Sequence, residues 1–533
     1  MTQYASTNAV QASWDNVVLS TETERYRLLR KEGMYYVEIS PIEGGGENTE
    51  VEVGMLTGSH HMQVFWMSTG HGNLQVAFPF TWLIHEQRWV PRKDTFLRNP
   101  EVPHGRETWN NNCIRCHTTG GQPRPDRETQ TWRSRVAEMG IACEACHGPG
   151  EKHVAHQRSA SAKNSSGDGD STIVQPAHLD ARRSSEVCGN CHSIKWFEAS
   201  DALLEHGFTF KPGDDLSATT PVIQATKLDQ QPWLKPMLEK HPRLLEDFFW
   251  SDGMPRSSGR EYNALIESPC YQGGRFSCLS CHSMHQSEPD DQLAKLRDSN
   301  QACLQCHKEV DQNIPAHTHH REHSSGSLCY NCHMPHTTYG LLKTIRSHQV
   351  SSPTVKESLE TGRPNACNLC HLDKTLEWTA NNLQKWYGTE QPNLDEENRT
   401  VAASLVWLMK GDAAQRALIA SAMGRKEAQD TSGKEWMPPF LVMGMADDYS
   451  AVRFLSHQSL KTIDPFENLT FDYVGSVDEQ GDAIEAVFNL WRQNYKPLTN
   501  RTELFFDSAG NLETNRVQQL LGKRSTNSVH LRE

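Results

Sequence analysis

The first hundred residues alternate apolar and polar side chains in a pattern that predicts β-strands. The segment YRLLRKEGMYYVEI contains two such runs separated by Glu32-Gly33, which predicts a hairpin turn. The segments HMQVFWM and LQVAFPFTWLI, which come next, are rich in the aromatic and β-branched residues that strands favour. We therefore predict a β-rich N-terminal region over residues 1–100, forming a small antiparallel sheet that lies over the region after it.

After His371 the apolar positions recur at helical spacing instead. In KTLEWTANNLQKWYG they form one apolar face and the pattern ends at Gly388, which predicts a helix with a glycine cap. The residues of that face are Leu376, Ala380, Leu383 and Trp386. In DAIEAVFNLW, Asp482 and Glu485 resemble a capping box at the start of a later helix.

Short Gly-Asp and Asp-Asp turns separate further helices in this region, predicted at about 412–423, 436–445 and 448–462. Paired helices of this kind resemble HEAT-type repeats, although an ordinary helical bundle would give the same pattern. We predict an α-helical, HEAT-like domain over residues 376–500 and a C-terminal tail with a short helix over residues 501–533.

The composition and charge of the 533-residue chain argue against a nucleic-acid partner and against a membrane-spanning segment. The formal net charge is −13, whereas a protein that binds nucleic-acid phosphates presents a basic surface. No apolar run approaches the roughly 20 residues that a membrane-spanning helix needs, so we expect no transmembrane segment. The start, MTQYASTNAVQASWDNV, has no basic stretch followed by an apolar one, so it shows no signal peptide.

Fourteen of the 15 cysteines occur in pairs separated by two residues, and a histidine directly follows each pair. The pairs are Cys113/Cys116, Cys143/Cys146, Cys188/Cys191, Cys278/Cys281, Cys303/Cys306, Cys329/Cys332 and Cys367/Cys370. The histidines are His117, His147, His192, His282, His307, His333 and His371. The motifs follow one another at intervals of 25 to 90 residues, and the short intervals leave no room for independent apolar cores.

Zinc knuckles, redox dithiols and disulfides also use cysteine pairs, but none of them accounts for the histidines. Tetrahedral zinc needs no histidine directly after the second cysteine, and a redox dithiol normally occurs once in a chain. With 26 histidines in 533 residues, seven such histidines would arise by chance on the order of once in 10⁹ cases. C-x-x-C-H instead attaches c-type haem: the two thiols form thioethers with the porphyrin, and the histidine binds the iron as proximal ligand.

The sequence therefore predicts seven haem c groups within a cytochrome c domain over residues 101–375. This domain should be mainly helix and loop, with an irregular core organised by the haems. The fifteenth cysteine, Cys270, lies eight residues before Cys278. A small buried apolar side chain is the simpler interpretation of Cys270, and a specialised thiol beside a haem is the alternative.

Nineteen histidines remain, and any of them could occupy the second axial position of a haem iron. His285 and His336 each lie three residues after a proximal histidine, too close to reach round their own haem, so any iron they bind belongs to a neighbouring haem. The segment HTHHREH is either an exposed histidine-rich loop or a source of distal ligands. The remaining distal candidates are His317, His320, His348, His104, His60 and His61.

Three segments, CEACHGPGEKH, CLSCHSMH with CLQCH, and CYNCHMPHTTYG with SHQV, resemble bacterial multihaem cytochromes. That superfamily includes tetrahaem cytochromes of nitrifiers, hydroxylamine oxidoreductases and octahaem nitrite reductases. The likeness covers about residues 60–390 and looks closest to a subgroup in which helical repeats follow the haem core. It implies that His153, in the first segment, is a distal ligand of another haem, and so are His348 and one of His317 or His320.

Related members of this subgroup look as though they carry a further C-x-x-C-H motif near the N-terminus, behind a signal peptide. Because haem c is attached outside the cytoplasm, we expect a periplasmic or otherwise extracytoplasmic protein. We also expect the genomic sequence upstream of Met1 to encode a signal peptide, with room for an eighth haem motif.

Two functions stay open on this evidence. The chain of haems could transfer electrons between redox protein partners, or one open haem could reduce or oxidise a small nitrogen or sulfur species. Residues near the motifs that could assist catalysis, although ordinary packing explains them equally simply, are Tyr271, Tyr330, Tyr339 and His336. Docking of the C-terminal helices onto a membrane-bound electron-transfer complex is compatible with either function.

Overall fold

A computed structural model describes residues 1–44, 46–103, 105–159, 170–195, 201–285 and 292–531. The strands are β1 (Thr2–Tyr4), β2 (Val18–Ser20), β3 (Glu24–Lys31), β4 (Met34–Pro41), β5 (Thr49–Thr57), β6 (Met62–Ser68), β7 (Gln75–Leu83), β8 (Arg88–Pro91), β9 (Leu97–Arg98), β10 (Thr118–Thr119), β11 (Pro125–Asp126), β12 (Thr131–Trp132), β13 (Glu138–Met139), β14 (Thr338–Gly340), β15 (Lys343–Ile345) and β16 (His530–Leu531).

The helices are α1 (Cys143–His147), α2 (Glu151–Arg158), α3 (Ala181–Gly189), α4 (Asp201–His206), α5 (Leu216–Thr219), α6 (Lys235–Lys240), α7 (Leu244–Phe248), α8 (Glu261–Leu265), α9 (Pro269–Gln272), α10 (Gln301–Leu304), α11 (Lys308–Asp311), α12 (Ile314–Thr318), α13 (Cys329–His333), α14 (Val355–Thr361), α15 (Leu376–Tyr387), α16 (Glu396–Thr400), α17 (Ala403–Lys410), α18 (Ala413–Met423), α19 (Lys426–Ser432), α20 (Pro438–Met445), α21 (Ser450–Leu460), α22 (Val477–Asn494) and α23 (Thr514–Leu521).

The chain forms two compact units. The first comprises residues 1–93, 104–222 and 274–279, and the second comprises residues 94–103, 223–273 and 280–533. The fourth C-x-x-C-H motif starts in the first unit and ends in the second. The sequence predicts four regions from residue patterns and motifs, whereas the two units are defined by contacts. The division into four regions stays a prediction.

The predicted β-rich region is confirmed as an antiparallel sheet in the first unit. Its strand order is β2-β3-β4-β5-β6-β7-β8, and β1 pairs with β5. Between β3 and β4, Glu32 and Gly33 adopt positive φ angles of 52° and 82°. Two successive positive φ angles are what a two-residue hairpin of this type requires, so the predicted turn is also confirmed.

The two faces of this sheet bury different sets of side chains. One face forms an aromatic core that includes Tyr26, Phe65 and Phe78. On the other face, Trp66 packs in a cluster with Ile114, which is fully buried between the two cysteines of the first motif. Phe65 and Trp66 are consecutive on β6 and lie on opposite faces of the sheet, so both are buried. The sheet thus covers the first C-x-x-C-H motif, as predicted.

The C-terminal part of the second unit is helical, as predicted. Helix α15 starts at its cap Thr375 and ends at Gly388, whose φ of 67° is the left-handed conformation of a glycine cap. Helix α22 starts earlier than predicted: Ser476 and Glu479 form its capping box. The predicted capping box of Asp482 and Glu485 is wrong, because the first turns of α22 are polar and precede its apolar face.

Neighbouring helices in this part pack against one another. Helix α17 packs on α18, α20 packs on α21, and α18 and α21 pack on each other. This arrangement fits helical repeats and ordinary bundles alike, so the HEAT-like character stays a prediction. Within the described ranges, no helix has both the length and the apolarity to cross a membrane.

Candidate haem-binding site

Most of the C-x-x-C-H motifs fold locally as a single helical turn. The backbone amides of His117, His192 and His371 each donate to the carbonyl of the first cysteine of their motif at 2.9 Å, and that of His307 does so at 3.0 Å. Two further motifs coincide with helices α1 and α13. Positions i, i+3 and i+4 of a helical turn share one face, so both thiols and the imidazole of a motif lie together. This geometry fits a flat macrocycle held by two thioethers above its histidine.

Backbone carbonyls fix the orientation of two motif histidines. Nδ1 of His147 lies 2.7 Å from the carbonyl oxygen of Val174, and Nδ1 of His333 lies 2.9 Å from that of Ser351. Because a carbonyl oxygen only accepts, each Nδ1 must carry the proton. The Nε2 lone pair is then available for a metal, as is usual for metal-bound histidine.

Burial keeps the most deeply placed motif side chains uncharged. It lowers the pKa of His117 and of His371 to about 4, so both imidazoles are neutral at pH 7 and need lose no proton to bind iron. Burial also raises the pKa of Cys113 and of Cys367 to about 12, so these thiols are not reactive thiolates. All 15 cysteines are free of disulfide bonds.

Two of the predicted anchoring cysteines, Cys306 and Cys143, are exposed, whereas the other motif cysteines are at least partly buried. Cys306 lies between the four-residue helices α10 and α11, and residues 305–309 are exposed throughout. Helices this short bury little apolar surface, so the polypeptide leaves Cys306 open to solvent. The thioether roles of both residues stay predictions.

Three motif histidines of the second unit each face a histidine from outside the motifs. The ring centroids lie 6.1 Å apart for His282 and His348, 6.2 Å apart for His333 and His317, and 6.1 Å apart for His371 and His320. The interplanar angles are 17°, 15° and 41° in the same order.

A separation of about 6 Å between two imidazole ring centroids matches the space that one metal ion would need between the rings. Two imidazole–metal bonds of about 2 Å, with a ring radius of roughly 1 Å on each side, add up to about 6 Å between centroids. The three pairs therefore fit six-coordinate haem irons, each bound between one motif histidine and one distal histidine.

One short segment supplies two of these facing rings. His317 lies near the end of α12, and His319 follows with a left-handed φ of 56° that turns the chain. His320 lies just after this turn, and its Nδ1 is 2.6 Å from the carbonyl oxygen of Thr318. The resemblance to multihaem cytochromes implied one of His317 or His320 as a ligand, whereas the structure places both rings opposite motif histidines.

Gly326 is essential for the position of His320. A Cβ atom at residue 326 would collide with Cδ2 and Cγ of the His320 ring. We expect Gly326→Ala to displace this imidazole from its place opposite His371, with a packing cost of about 1–3 kcal/mol. The haem attached at Cys367–His371 should then lose its sixth ligand, which low-spin absorbance and electron paramagnetic resonance would detect.

Gly481→Ala is the matched control for this substitution. A Cβ atom at residue 481 meets no heavy atom within 4 Å, and Gly481 lies within helix α22. Alanine there should stabilise the helix by up to about 1 kcal/mol and leave the haem spectrum unchanged. An unchanged spectrum in both variants would contradict the role assigned to Gly326.

The remaining distal candidates occupy varied surroundings. Nδ1 of His153 lies 2.6 Å from a carboxylate oxygen of Asp170, the kind of partner that orients metal-bound histidines. His336 is largely buried, with Nδ1 3.4 Å from the carbonyl oxygen of Thr344. His285 is exposed, and His104 lies outside the described residues. Their distal roles stay predictions.

His60 and His61 lie at the start of β6. His60 is exposed, and the ring of His61 has its centroid 6.1 Å from that of His85. This separation arises because His61 precedes β6 and His85 follows β7 at the end of the strand pair where Met62 lies opposite Leu83. Neither belongs to a C-x-x-C-H motif, so the pair carries no thioether site. Ligation by His60 or His61 also stays a prediction.

Successive motifs lie side by side within each unit. In the first unit, Cys116 lies within hydrogen-bonding reach of Cys191, and Cys188 within reach of Cys278. The charge of Cys188 also raises the pKa of Cys146, which places the second motif close to the third.

In the second unit, Cys303 is within hydrogen-bonding reach of Cys329, and the charge of Cys281 acts on Cys303. The charge of Cys332 likewise raises the pKa of Cys367. The anchoring residues of four successive motifs are thus near neighbours in this unit. Cys270, in α9, is half-buried, and burial raises its pKa, which favours a packing role over a reactive thiolate.

The structure adds residues that the sequence did not single out. Gly326 and Asp170 act on predicted ligands, but a lone glycine in SSGS and an aspartate at the end of a polar stretch carry no local signal of such roles. Within the described parts of the chain, no group of three or more histidine, cysteine, aspartate or glutamate side chains is arranged to hold a metal ion.

Comparisons with known proteins agree with the motif geometry. A family model described as "Doubled CXXCH motif" matches residues 269–312, and one described as "Cytochrome c554 and c-prime" matches residues 87–148. No curated protein sequence matches the chain. A crystal structure of the outer cell wall cytochrome OcwA is similar with a TM-score of 0.41 at 17% identity, over 77% of this chain and 88% of that chain.

The two matched segments contain four of the seven C-x-x-C-H motifs. The doubled-motif model spans Cys278–His282 and Cys303–His307, and the cytochrome c554 model spans Cys113–His117 and Cys143–His147. The same motif recurs three more times along the chain, with the same local fold in Cys188–His192, Cys329–His333 and Cys367–His371. Both matched segments thus centre on C-x-x-C-H motifs, the motif that attaches c-type haem.

Proposed function

We propose that the chain binds seven covalently attached haem c groups and transfers electrons along them outside the cytoplasm. Each cysteine pair forms the two thioethers of one haem, and the histidine that follows it is the proximal ligand. His348, His317 and His320 are the distal ligands of the haems at His282, His333 and His371. The extracytoplasmic location follows from where haem c is attached to proteins.

The observation that carries this proposal is the set of three facing imidazole pairs, each about 6 Å between ring centroids. An iron with two histidine ligands has no free position for a substrate and suits electron transfer. The near contacts between anchoring cysteines of successive motifs support a continuous series of closely spaced haems within each unit.

The partners in this proposal are redox proteins, and the C-terminal helices are the region that binds them. Helical arrays present extended binding surfaces, and the packed pairs α17–α18 and α20–α21 are compatible with such an array. A membrane-bound electron-transfer complex is one partner of this kind. The test is whether point substitutions on the exposed side of α22 slow electron delivery to such a complex without altering the haem spectrum.

Electron paramagnetic resonance of the oxidised holoprotein tests the electron-transfer proposal. We expect low-spin signals from the haems at His282, His333 and His371, with no change when nitrite, hydroxylamine or sulfite is added. A spectrum in which these haems are high-spin would contradict the assigned ligands.

A second candidate function, catalysis at an open haem, is favoured by one observation at the fifth motif. The His307 side chain is 58% exposed, its Nδ1 lies 3.5 Å from Glu309, and the adjacent Cys306 is exposed as well. In the described portion of the chain, no imidazole ring faces that of His307, and the same is true of the more buried His117. A haem at His307 would therefore be the most accessible one to a small nitrogen or sulfur species.

This second function has its own spectroscopic test. If the haem at Cys303–His307 has an open position, the oxidised protein should show a high-spin signal that shifts with nitrite, hydroxylamine or sulfite. Low-spin signals alone, together with an accurate haem count, would contradict an open catalytic haem.

A further inference from the structure

The last turn of helix α15 contacts the short segment that carries two of the facing histidines. The ring of Trp386 stacks on that of His319, with the centroids 4.6 Å apart and an angle of 10° between the planes. The ring of Tyr387 meets the same imidazole edge-on at 5.5 Å, and its hydroxyl donates to the carbonyl oxygen of His317 at 2.5 Å. Two neighbouring aromatic side chains of α15 therefore hold on to the segment His317–His320.

His319 has the backbone conformation in this segment that most needs such support. Its φ of 56° is left-handed, which is unfavourable for a residue other than glycine and persists only where the surroundings hold it. The stack with Trp386 is a favourable aromatic contact of the kind that does so. Because His317 precedes this turn and His320 follows it, the conformation of His319 determines how the two rings are placed relative to each other.

Helix α15 is also joined to the seventh motif. The hydroxyl of Thr379 donates at 2.8 Å to Oδ1 of Asn368, which lies between the two cysteines of that motif. Nδ2 of Asn368 in turn donates to the carbonyl oxygen of Lys374 at 3.0 Å. The ring centroid of Trp378 lies 4.7 Å from that of His371. One helix thus contacts the histidine of the seventh motif near its start and the segment with the facing histidines at its end.

The two facing histidines of this segment belong to different pairs. His317 faces His333 and His320 faces His371, at centroid distances of 6.2 and 6.1 Å. Because they lie three positions apart in the chain, a shift of the backbone between them moves both rings. The contacts of α15 therefore bear on both pairs, whereas a Cβ atom at residue 326 would collide with the ring of His320.

We propose that Trp386 and Tyr387 are positioning residues that hold the segment His317–His320, so that the haems at the sixth and seventh motifs keep or lose their distal ligands together. Trp386 acts through the ring of His319, and Tyr387 acts through the carbonyl of His317. This inference rests on the haems and distal ligands proposed for those two motifs. Since axial ligands tune the potential of a haem, the potentials of these two haems should respond together to any movement of the segment.

Electron paramagnetic resonance of the oxidised holoprotein and of the double variant Trp386→Ala/Tyr387→Ala tests the proposal. The variant should show a new high-spin signal from about two haems per chain, which exogenous imidazole should convert back to low-spin. The helix should stay folded, because Tyr387 is 47% exposed and buried side chains earlier in α15 anchor it. These anchoring residues are Leu376, Ala380 and Leu383.

Single substitutions in the same turn separate positioning from packing. Trp386→Phe keeps an aromatic partner for His319 and should retain most of the low-spin signal. Tyr387→Phe keeps the ring and removes one hydrogen bond, so cyanide should displace the distal histidines of both haems up to about tenfold faster. Lys385→Ala changes an exposed side chain of the same turn and should alter neither the spectrum nor the cyanide rate.

The number of haems that respond determines the outcome, with Gly326→Ala as the reference for a change at one haem. A high-spin signal twice that of Gly326→Ala supports the shared positioning. A change at one haem alone, or a double variant that matches Lys385→Ala, overturns the inference. If the double variant does not fold, a cyanide rate for Tyr387→Phe equal to that of Lys385→Ala overturns it.

Failure of the proposed function would look different. High-spin signals from the haems at His333 and His371 in the unchanged protein would contradict the proposed distal ligands themselves. The mass of the denatured protein reports a missing sixth or seventh haem separately.

Discussion

Replacing His348 with alanine should convert one haem from a low-spin to a high-spin iron and leave the others as they are. The ring of His348 faces that of His282 across 6.1 Å, which is the span of an iron between two imidazoles. The backbone around residue 348 is fixed by buried Ser268, whose Oγ donates to the carbonyl of His348 at 3.2 Å and accepts from the amide of Val350 at 2.9 Å. The segment should therefore stay in place after the ring is removed.

Electron paramagnetic resonance of the oxidised variant measures this change directly. A new high-spin signal of about one haem per chain is expected, and exogenous imidazole should restore the low-spin state by entering the gap. His323→Ala is the matched control, because it also removes an imidazole but the His323 side chain is 90% exposed. A His348→Ala spectrum identical to that of His323→Ala would show that His348 is not a ligand.

Replacing Asp447 with alanine should destabilise the C-terminal helices by about 3–5 kcal/mol. Asp447 is fully buried and accepts a bidentate pair of hydrogen bonds from Arg416 at 2.7 and 2.9 Å. It also accepts from Arg524 at 3.2 Å. Removal of the carboxylate would leave the 3% exposed side chain of Arg416 charged and unpaired, which is the costly way to break a buried ion pair.

Urea unfolding followed by far-ultraviolet circular dichroism measures the free energy of unfolding for this variant. Asp430→Ala is the control, because its ion pair with Lys426 is exposed on both sides and should contribute at most about 0.5 kcal/mol. Equal unfolding midpoints for Asp447→Ala and Asp430→Ala would contradict the structural role of the buried pair.

The local features of the chain were predictable from its sequence because they depend on near neighbours. The C-x-x-C-H spacing defines which thiols and imidazole share one helical turn, and the period of apolar residues defines α15 with its glycine cap. The start of α22 was not predicted correctly, because its polar first turns hide the capping box at Ser476 behind a later apolar face.

The facing imidazole pairs were less predictable because they depend on tertiary contacts. The sequence around His348 does not indicate that its ring faces His282 rather than another motif histidine. Only the fold brings these two rings together. The same is true of Gly326, whose importance arises only from the nearby ring of His320. The exposure of Cys306 also depends on how few residues pack around its motif, which the C-x-x-C-H spacing does not encode.

The mass of the intact, denatured protein shows directly whether seven haems are covalently attached to the chain. Thioether bonds survive denaturation, so each haem that a C-x-x-C-H motif anchors stays on the polypeptide and adds its mass. For the chain produced with haem c maturation outside the cytoplasm, we expect the polypeptide mass plus seven haems. A mass equal to the bare polypeptide, or to the polypeptide with fewer than seven haems in fully matured protein, would contradict it.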